Sequence, residues 1–308
     1  MPPSNFTISH EINRALNLSL PIVALESTVV THGLPRPQNL SLAHDMESTV
    51  REEGAVPATI GVLKGKVRIG MSEADLDELA NTPEPRKVSQ RDFSIAAVKT
   101  ENGGTTVAGT MFAAHQAGIK VFATGGIGGV HKESAFDIST DLQALASIPM
   151  IVVCAGAKAI LDLPATLEYL ETMAVPVVGY QMAAFPAFYS RDSGLEVSVK
   201  VDSVEEIVML AKVHWDMGMK SAVLVTNPVP AGDEIPKSRM DPWIVEASQE
   251  AEKKKIHGQA LTPFLLQRIN ELSYGQSMRA NLALLLNNAR LAAQIARSMA
   301  ITQRRKQI

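Results

Sequence analysis

Two residues in this sequence have the side-chain type and local setting for acid-assisted covalent chemistry, Glu26 and Lys158. Glu26 follows directly on the apolar run Pro21 to Leu25, which places a carboxyl group at the carboxyl end of a buried strand, where open α/β sheets gather their ligands. Partial burial there raises a carboxyl pKa towards that of a usable general acid. A plainer role, capping the next turn or pairing with a nearby cation, is equally open from the residues alone. Lys158 follows a second apolar run, Met150 to Cys154, by way of Ala155-Gly156-Ala157, and a helical pattern resumes near Ala159. A helix N-terminus and a dry pocket both disfavour an ammonium ion, so a lysine at this turn is expected to have a depressed pKa and to offer a neutral amine for an imine. Against that stands the ordinary lysine that reaches out to solvent.

Two further stretches could hold a ligand. The run Thr124-Gly125-Gly126-Ile127-Gly128-Gly129-Val130-His131 follows an apolar segment, and its backbone amides could cradle a phosphate. The alternative is a mobile glycine loop with no ligand. GxGxxG spacing is absent and no Gly-Lys-Ser/Thr follows, so neither a dinucleotide nor a nucleoside triphosphate is supported. Beyond it, Asp137-Ile138-Ser139-Thr140-Asp141 offers carboxylate and hydroxyl oxygens at the start of a helix. Ser139 or Thr140 can cap that helix, and the same oxygens suit a hard cation such as Mg2+ or Mn2+.

These residues need a scaffold, and the pattern around them supplies one. Short β-rich runs at Pro21–Leu25, Ala58–Leu63, Ile119–Ala123, Met150–Cys154, Val175–Val178 and Ala222–Val225 alternate with helical spacing at Gln38–Glu53, Thr105–Ala117, Ile160–Met173 and Val204–Met217. The expected fold is three-layer α/β/α around a central mixed, largely parallel sheet. Gly61 to Gly70 alternates around Lys64-Gly65-Lys66 and reads as an antiparallel hairpin grafted onto the sheet. After Asn227 the strands stop, and helical patterns at Asp241–Lys254, Pro263–Glu271 and Gln276–Met299 make a helical C-terminal portion. With no internal repeat or linker, residues 1–308 are expected to form one domain.

Composition narrows the function. Lys and Arg total 29 against 32 Asp and Glu, a net charge of -3, which gives no broad attraction to a nucleic-acid backbone or an acidic membrane. No apolar stretch approaches the length of a membrane span, and Met1 to Asn13 lacks the pattern of a secretory leader. The single cysteine, Cys154, excludes an intrachain disulfide and reads as a buried structural thiol. A cytoplasmic location is the expectation, and the basic run at 304–306 reads as a solvated, frayed end.

Taken in order, Ala24 to Thr28, the Gly-Ala-Val-Pro-Ala-Thr run at 54–59, Lys87-Val88-Ser89, Gly104 to Ala108, Thr124 to His131, Asp137 to Asp141 and Ala155 to Lys158 resemble the pseudouridine-5'-phosphate glycosidase, or indigoidine-synthase-A-like, family from about Leu20 to the region 281–289. The resemblance implies reversible cleavage of the carbon-carbon bond of pseudouridine 5'-phosphate to uracil and ribose 5-phosphate. Lys158 matches the lysine that forms an imine with C1' of ring-opened ribose 5-phosphate, and Glu26 matches the proton donor to the departing base. Asp137 matches the metal ligand, normally for Mn2+. Lys87, Val107, Ser139, Thr140 and Asp141 match substrate-binding positions, with Lys87 expected on the 5'-phosphate, and Asn281 matches a polar residue near the base. The family also implies a homotrimer. One departure is local: Lys99 to Glu101 differs from the family pattern ahead of Asn102-Gly103-Gly104-Thr105-Thr106.

The chemistry agrees with the residues, because a C-glycosidic bond lacks a good oxygen or nitrogen leaving group and an imine at C1' supplies the electron sink. A sugar-phosphate-binding regulatory protein would not need both Glu26 and Lys158 facing one pocket. A Schiff-base aldolase would share the lysine but not the ordered set of motifs.

Overall fold

The computed structural model describes residues 4–132, 137–256 and 258–304. Its strands are β1 (Phe6–Ile8), β2 (Ile22–Leu25), β3 (Val56–Leu63), β4 (Lys66–Ile69), β5 (Arg86–Val88), β6 (Gly103–Thr105), β7 (Val121–Ala123), β8 (Ile151–Cys154), β9 (Val177–Tyr180), β10 (Val199–Val201) and β11 (Val223–Thr226). The first helices are α1 (His10–Asn17), α2 (Gln38–Glu52), α3 (Glu73–Asn81), α4 (Asp92–Lys99), α5 (Val107–Gln116) and α6 (Thr140–Ser147). They are followed by α7 (Leu163–Thr172), α8 (Val204–Asp216), α9 (Lys237–Lys253), α10 (Leu261–Leu272) and α11 (Gln276–Arg304).

The main sheet runs β1-β4-β3-β2-β7-β8-β11-β9-β10, with β6 pairing β3 and β5 pairing β6. All pairings are parallel except β3 with β4 and β3 with β6. Helices cover both faces, so the expected three-layer fold with a mixed, largely parallel sheet is what forms. The central strands are apolar along their whole length because both faces are covered: every residue of β2, β7, β8 and β11 is buried. The hairpin is also as expected, with Leu63 opposite Lys66 and the turn formed by Lys64 and Gly65 at positive φ.

Two helices matter most for the site. The N-terminal part of α5 is capped by Thr106, whose Oγ1 accepts from the Gly109 N–H at 3.2 Å. At 29 residues, α11 extends about 44 Å at 1.5 Å per residue and lies across β2, β7, β8, α2 and α8. The short strands β1, β5, β6 and β10 were not visible as apolar runs, being three residues each with partly exposed positions in β1 and β5, glycines in β6 and exposed positions in β10. The basic run at 304–306 lies, from residue 305 on, outside the described residues.

Candidate active site

The carboxyl ends of β2, β7 and β8 lie side by side, and each delivers one functional group. Glu26 follows β2, Thr124 follows β7, and Lys158 follows β8 by four residues. Thr124 Oγ1 donates a hydrogen bond to Glu26 Oε1. Ser27, the next residue, is fully buried; its hydroxyl donates to the Ile60 carbonyl at 2.6 Å and accepts from the Thr105 N–H at 3.0 Å. That pair of bonds ties the end of β2 to β3 and β6 and fixes the direction of Glu26.

Lys158 is not at a helix N-terminus, contrary to the sequence expectation. Helix α7 begins only at Leu163, capped by Asp162, and residues 155–158 bend away from β8 through Gly156 at φ +81 and run beside the glycine loop instead. Ala157 bridges Ile127 in parallel, and the Lys158 N–H donates to the Ile127 carbonyl at 3.1 Å. The reason is the buried glycine loop, which runs alongside and offers its carbonyls as strand partners. The helix macrodipole therefore plays no part at Lys158.

Nor does that loop stand free of the fold: it is buried and bonded along its length. The N–H groups of Thr124, Ile127, Gly128, Val130 and His131 all donate to protein oxygens, which leaves them unable to cradle a phosphate. Its glycines allow close approach: a Cβ on Gly126 would stand 2.5 Å from the Phe188 ring, and one on Gly128 2.2 Å from Ser139 Oγ. Phe188 is itself held at φ +62, an uncommon conformation for a bulky residue, with its N–H donating to the Ala155 carbonyl.

Two cavities meet at these groups. The smaller, about 60 Å³, has an apolar wall of Val29, Phe188, Leu266 and Leu285, with His32 and Asn281 as polar members. The larger, about 330 Å³, is polar and is walled by Ser89, Arg91, Thr106, Asp137 and Thr140 among others. Glu26, Thr28, Lys87 and Lys158 line both. Thr28 Oγ1 has no hydrogen-bond partner although it is buried, an arrangement suited to a ligand oxygen.

Every expected site residue falls on these walls. Asn281 reaches the smaller cavity, while Val107, Asp137, Ser139, Thr140 and Asp141 reach the larger. Their tasks in the fold differ. Ser139 is the N-cap of α6, accepting from the Asp141 N–H at 3.2 Å, whereas the Thr140 hydroxyl meets Ser89 Oγ at 2.9 Å. Asp141 is buried, and its carboxylate accepts from the Ala108 N–H at 2.9 Å and the Gly128 N–H at 2.8 Å, clamping the start of α5 to the glycine loop.

The charges are arranged unevenly. Burial pushes the Glu26 carboxyl above the ordinary carboxylate range, while Lys158 and the Thr124 hydrogen bond pull it partly back. Burial lowers Lys87, and the Lys158 charge lowers it further, against the opposing pull of Asp141 and Glu26. Among the described residues no group of three His, Cys, Asp or Glu side chains gathers as a metal cluster. Cys154 takes no part: it is fully buried and its thiol is pushed up to about 12.

A family model described as "Indigoidine synthase A like protein" matches residues 11–298. The chain belongs to the indigoidine synthase A-like family. It is 52% identical over 304 residues to the pseudouridine-5'-phosphate glycosidase of Paracoccus denitrificans, covering 97% of this chain and 100% of the relative. It is 50% identical over 291 residues to the pseudouridine-5'-phosphate glycosidase of Caldanaerobacter subterraneus, covering 94% and 95%. Among solved structures, the indigoidine synthase A-like protein of Thermotoga maritima superposes with a TM-score of 0.88 at 36% identity, covering 96% of each chain. The prealnumycin C-glycosynthase AlnA in complex with ribulose 5-phosphate gives 0.91 at 37%, covering 99% of this chain and 100% of AlnA. The family read from the ordered motifs is thus the right one, and this member's central strand ends carry the acid and amine. No helix among the described residues is long and apolar enough to cross a membrane.

Sequence reasoning assigned no site role to Thr28, Thr124 or Phe188, which line the cavities or bond Glu26. Thr124 was in view, since the run it opens was read only for its glycines. Phe188 gave no signal, because its ring reaches the site through a loop whose course depends on β8 and the glycine loop together.

Proposed function

We propose that this chain catalyses the reversible cleavage of pseudouridine 5'-phosphate to uracil and ribose 5-phosphate. The observation that carries the reading is the placement of a partly buried acid, Glu26, and an amine, Lys158, on a wall shared by an apolar cavity and a polar one. Close relatives bearing the name of that activity support it.

In this reading the base occupies the apolar cavity beside Asn281 and the sugar phosphate the polar one. The Lys158 amine attacks C1', and the ring oxygen leaves as the 4'-hydroxyl, taking the proton released from the attacking nitrogen. Glu26 then protonates C5 of uracil. As the C1'-C5 bond breaks, its electrons restore the pyrimidine double bond and the nitrogen lone pair becomes the C1'=N bond. Water hydrolyses that imine, releasing ribose 5-phosphate and the free amine. Thr124 holds the Glu26 carboxyl in place, and Phe188 with Leu285 keeps the base cavity apolar, which favours the protonated form of the acid.

The polar cavity also suits a hard cation. Asp141 spends its oxygens on backbone amides, so Asp137 is the carboxylate to hold Mn2+, with hydroxyls, substrate oxygens and water completing the shell. When bound, such an ion neutralises charge on the sugar phosphate. Asp137→Ala is expected to remove the dependence of activity on Mn2+; a metal titration identical to that of the unaltered protein would exclude Asp137. A homotrimer in the cytoplasm is the assembly and location we propose, on the family resemblance.

The covalent step gives the decisive test. Borohydride reduction in the presence of ribose 5-phosphate should add one sugar phosphate per chain, with peptide mapping placing it on Lys158, alongside chromatographic detection of uracil from pseudouridine 5'-phosphate with Mn2+. Lys158→Ala should lose adduct and turnover together, and a fully active Lys158→Ala protein would overturn the mechanism.

A further inference from the structure

A third cavity, an open groove of about 720 Å³, lies against β5 and the turn into β6, and the proposed chemistry makes no use of it. Resting on the proposed reaction, we propose that this groove is the passage by which the base enters and leaves. It is separate from the polar cavity that holds the sugar phosphate, so one base can be exchanged for another while the sugar stays bonded to Lys158.

His32, Lys87 and Pro263 line both the groove and the apolar cavity, and so mark a neck between them. A second way out of the apolar cavity passes Glu26, Thr28 and Lys158 into the polar cavity. Once the imine has formed, the sugar itself stands in that way, because its C1' is bonded to the Lys158 nitrogen. The neck stays clear. In the exchange, C5 of an incoming uracil bonds to C1', the C1'=N electrons return to the Lys158 nitrogen, and the C5 proton passes to Glu26.

The groove suits a neutral, flat, polar guest. Lys64 is paired with Glu78 at 3.1 Å, and Arg86 is paired with Asp92 at 3.4 Å and with Glu101. Glu84 adds an exposed carboxylate, and burial lowers His32 at the neck, which leaves its ring uncharged at neutral pH. A sugar phosphate, with between one and two negative charges, gains little from paired cations, whereas uracil is uncharged at neutral pH. Pro83, Pro85 and Pro263 supply stiff apolar surface, and the wall behind them is fixed by Asn102, whose Nδ2 donates to Thr82 Oγ1 at 3.1 Å and whose Oδ1 accepts from the Lys64 N–H at 2.7 Å.

Blocking the groove by single-site labelling tests the passage. Cys154, the one native cysteine, is fully buried with its thiol pushed up to about 12, so a maleimide at neutral pH reacts at an introduced thiol instead. Ala260 and Glu84 are exposed and line the groove without lining either active-site cavity. After coupling to a bulky polyethylene glycol maleimide, Ala260→Cys and Glu84→Cys should incorporate isotope-labelled uracil into pseudouridine 5'-phosphate on the order of tenfold more slowly than the same proteins before coupling. Borohydride trapping of ribose 5-phosphate should be unchanged, which also shows that the coupled chain is folded. Uracil exchange unaltered by coupling at both positions would overturn the passage, as would trapping slowed by the same factor as exchange. An uncoupled chain that traps ribose 5-phosphate but exchanges no uracil would overturn the proposed reaction, and the passage with it.

Discussion

Burial raises the Glu26 carboxyl, and a raised carboxyl has a signature in stability as well as in rate. Its contribution is fully present below its ordinary value of 4.5, where folded and unfolded chains are both protonated, and is lost as pH rises through the higher folded value. Glu26→Gln cannot ionise and escapes that loss. The melting temperature of Glu26→Gln is therefore expected to gain on that of the unaltered protein as pH rises from 4.5 towards 8, and a constant difference would argue against a raised carboxyl. Base release in the same variant should slow by about 10²- to 10⁴-fold, the usual worth of a positioned acid, while imine formation with ribose 5-phosphate persists. The site was readable at this scale wherever a functional group ends an apolar run. Glu26 and Lys158 were found that way, but the reason given for Lys158 failed, because a helix start cannot be told from a loop segment held by bridges until the neighbouring loop is known.

At the scale of elements, α11 does more than cover the sheet. Asn288 is buried; its Nδ2 donates to the Thr124 carbonyl at 2.8 Å and its Oδ1 accepts from Asn227 Nδ2 at 3.2 Å. One side chain thus pins the helix to the ends of β7 and β11, and the residue it pins on β7 is the one bonded to Glu26. Asn288→Ala leaves that carbonyl and that amide without partners, at a cost of about 1–3 kcal/mol of stability. Denaturant melts should show this loss, with a fall in turnover; an Asn288→Ala protein equal in both would make the contact incidental. Elements of this kind were legible as elements. The apolar runs of β2, β7, β8 and β11 and the long periodic stretch of α11 come from local pattern, but the pairing of Asn288 with Thr124 joins residues 164 apart and has no local trace. The glycine loop illustrates the same limit: its composition permits close approach, and only the fold decides that Phe188 and Ser139, rather than a phosphate, take the space.

Across the whole molecule, the candidate site draws on both ends of the chain, from Glu26 to Asn281. The apolar core is similarly undivided. One cluster runs from Ile12 to Ala296 across every central strand, and the only other buried cluster found among the described residues is a small one around Leu76 and Leu79 under α3. On this basis the described residues are expected to unfold as a single cooperative unit, and ligand binding makes that expectation testable. A ligand that binds the folded chain alone adds RT ln(1 + [L]/Kd), about 2.7 kcal/mol at a hundredfold excess over Kd, which for a chain of this size corresponds to an upward shift of roughly 3–5 °C. Because the walls come from segments throughout the sequence, ribose 5-phosphate should move the entire melting transition by that amount. Removal of the amine in Lys158→Ala should diminish the shift at equal ligand concentration, since the covalent part of binding is gone. Two separate transitions, of which the ligand moves one, would mean that the helical C-terminal portion unfolds independently and that Asn281 and Leu285 reach the base from a second unit.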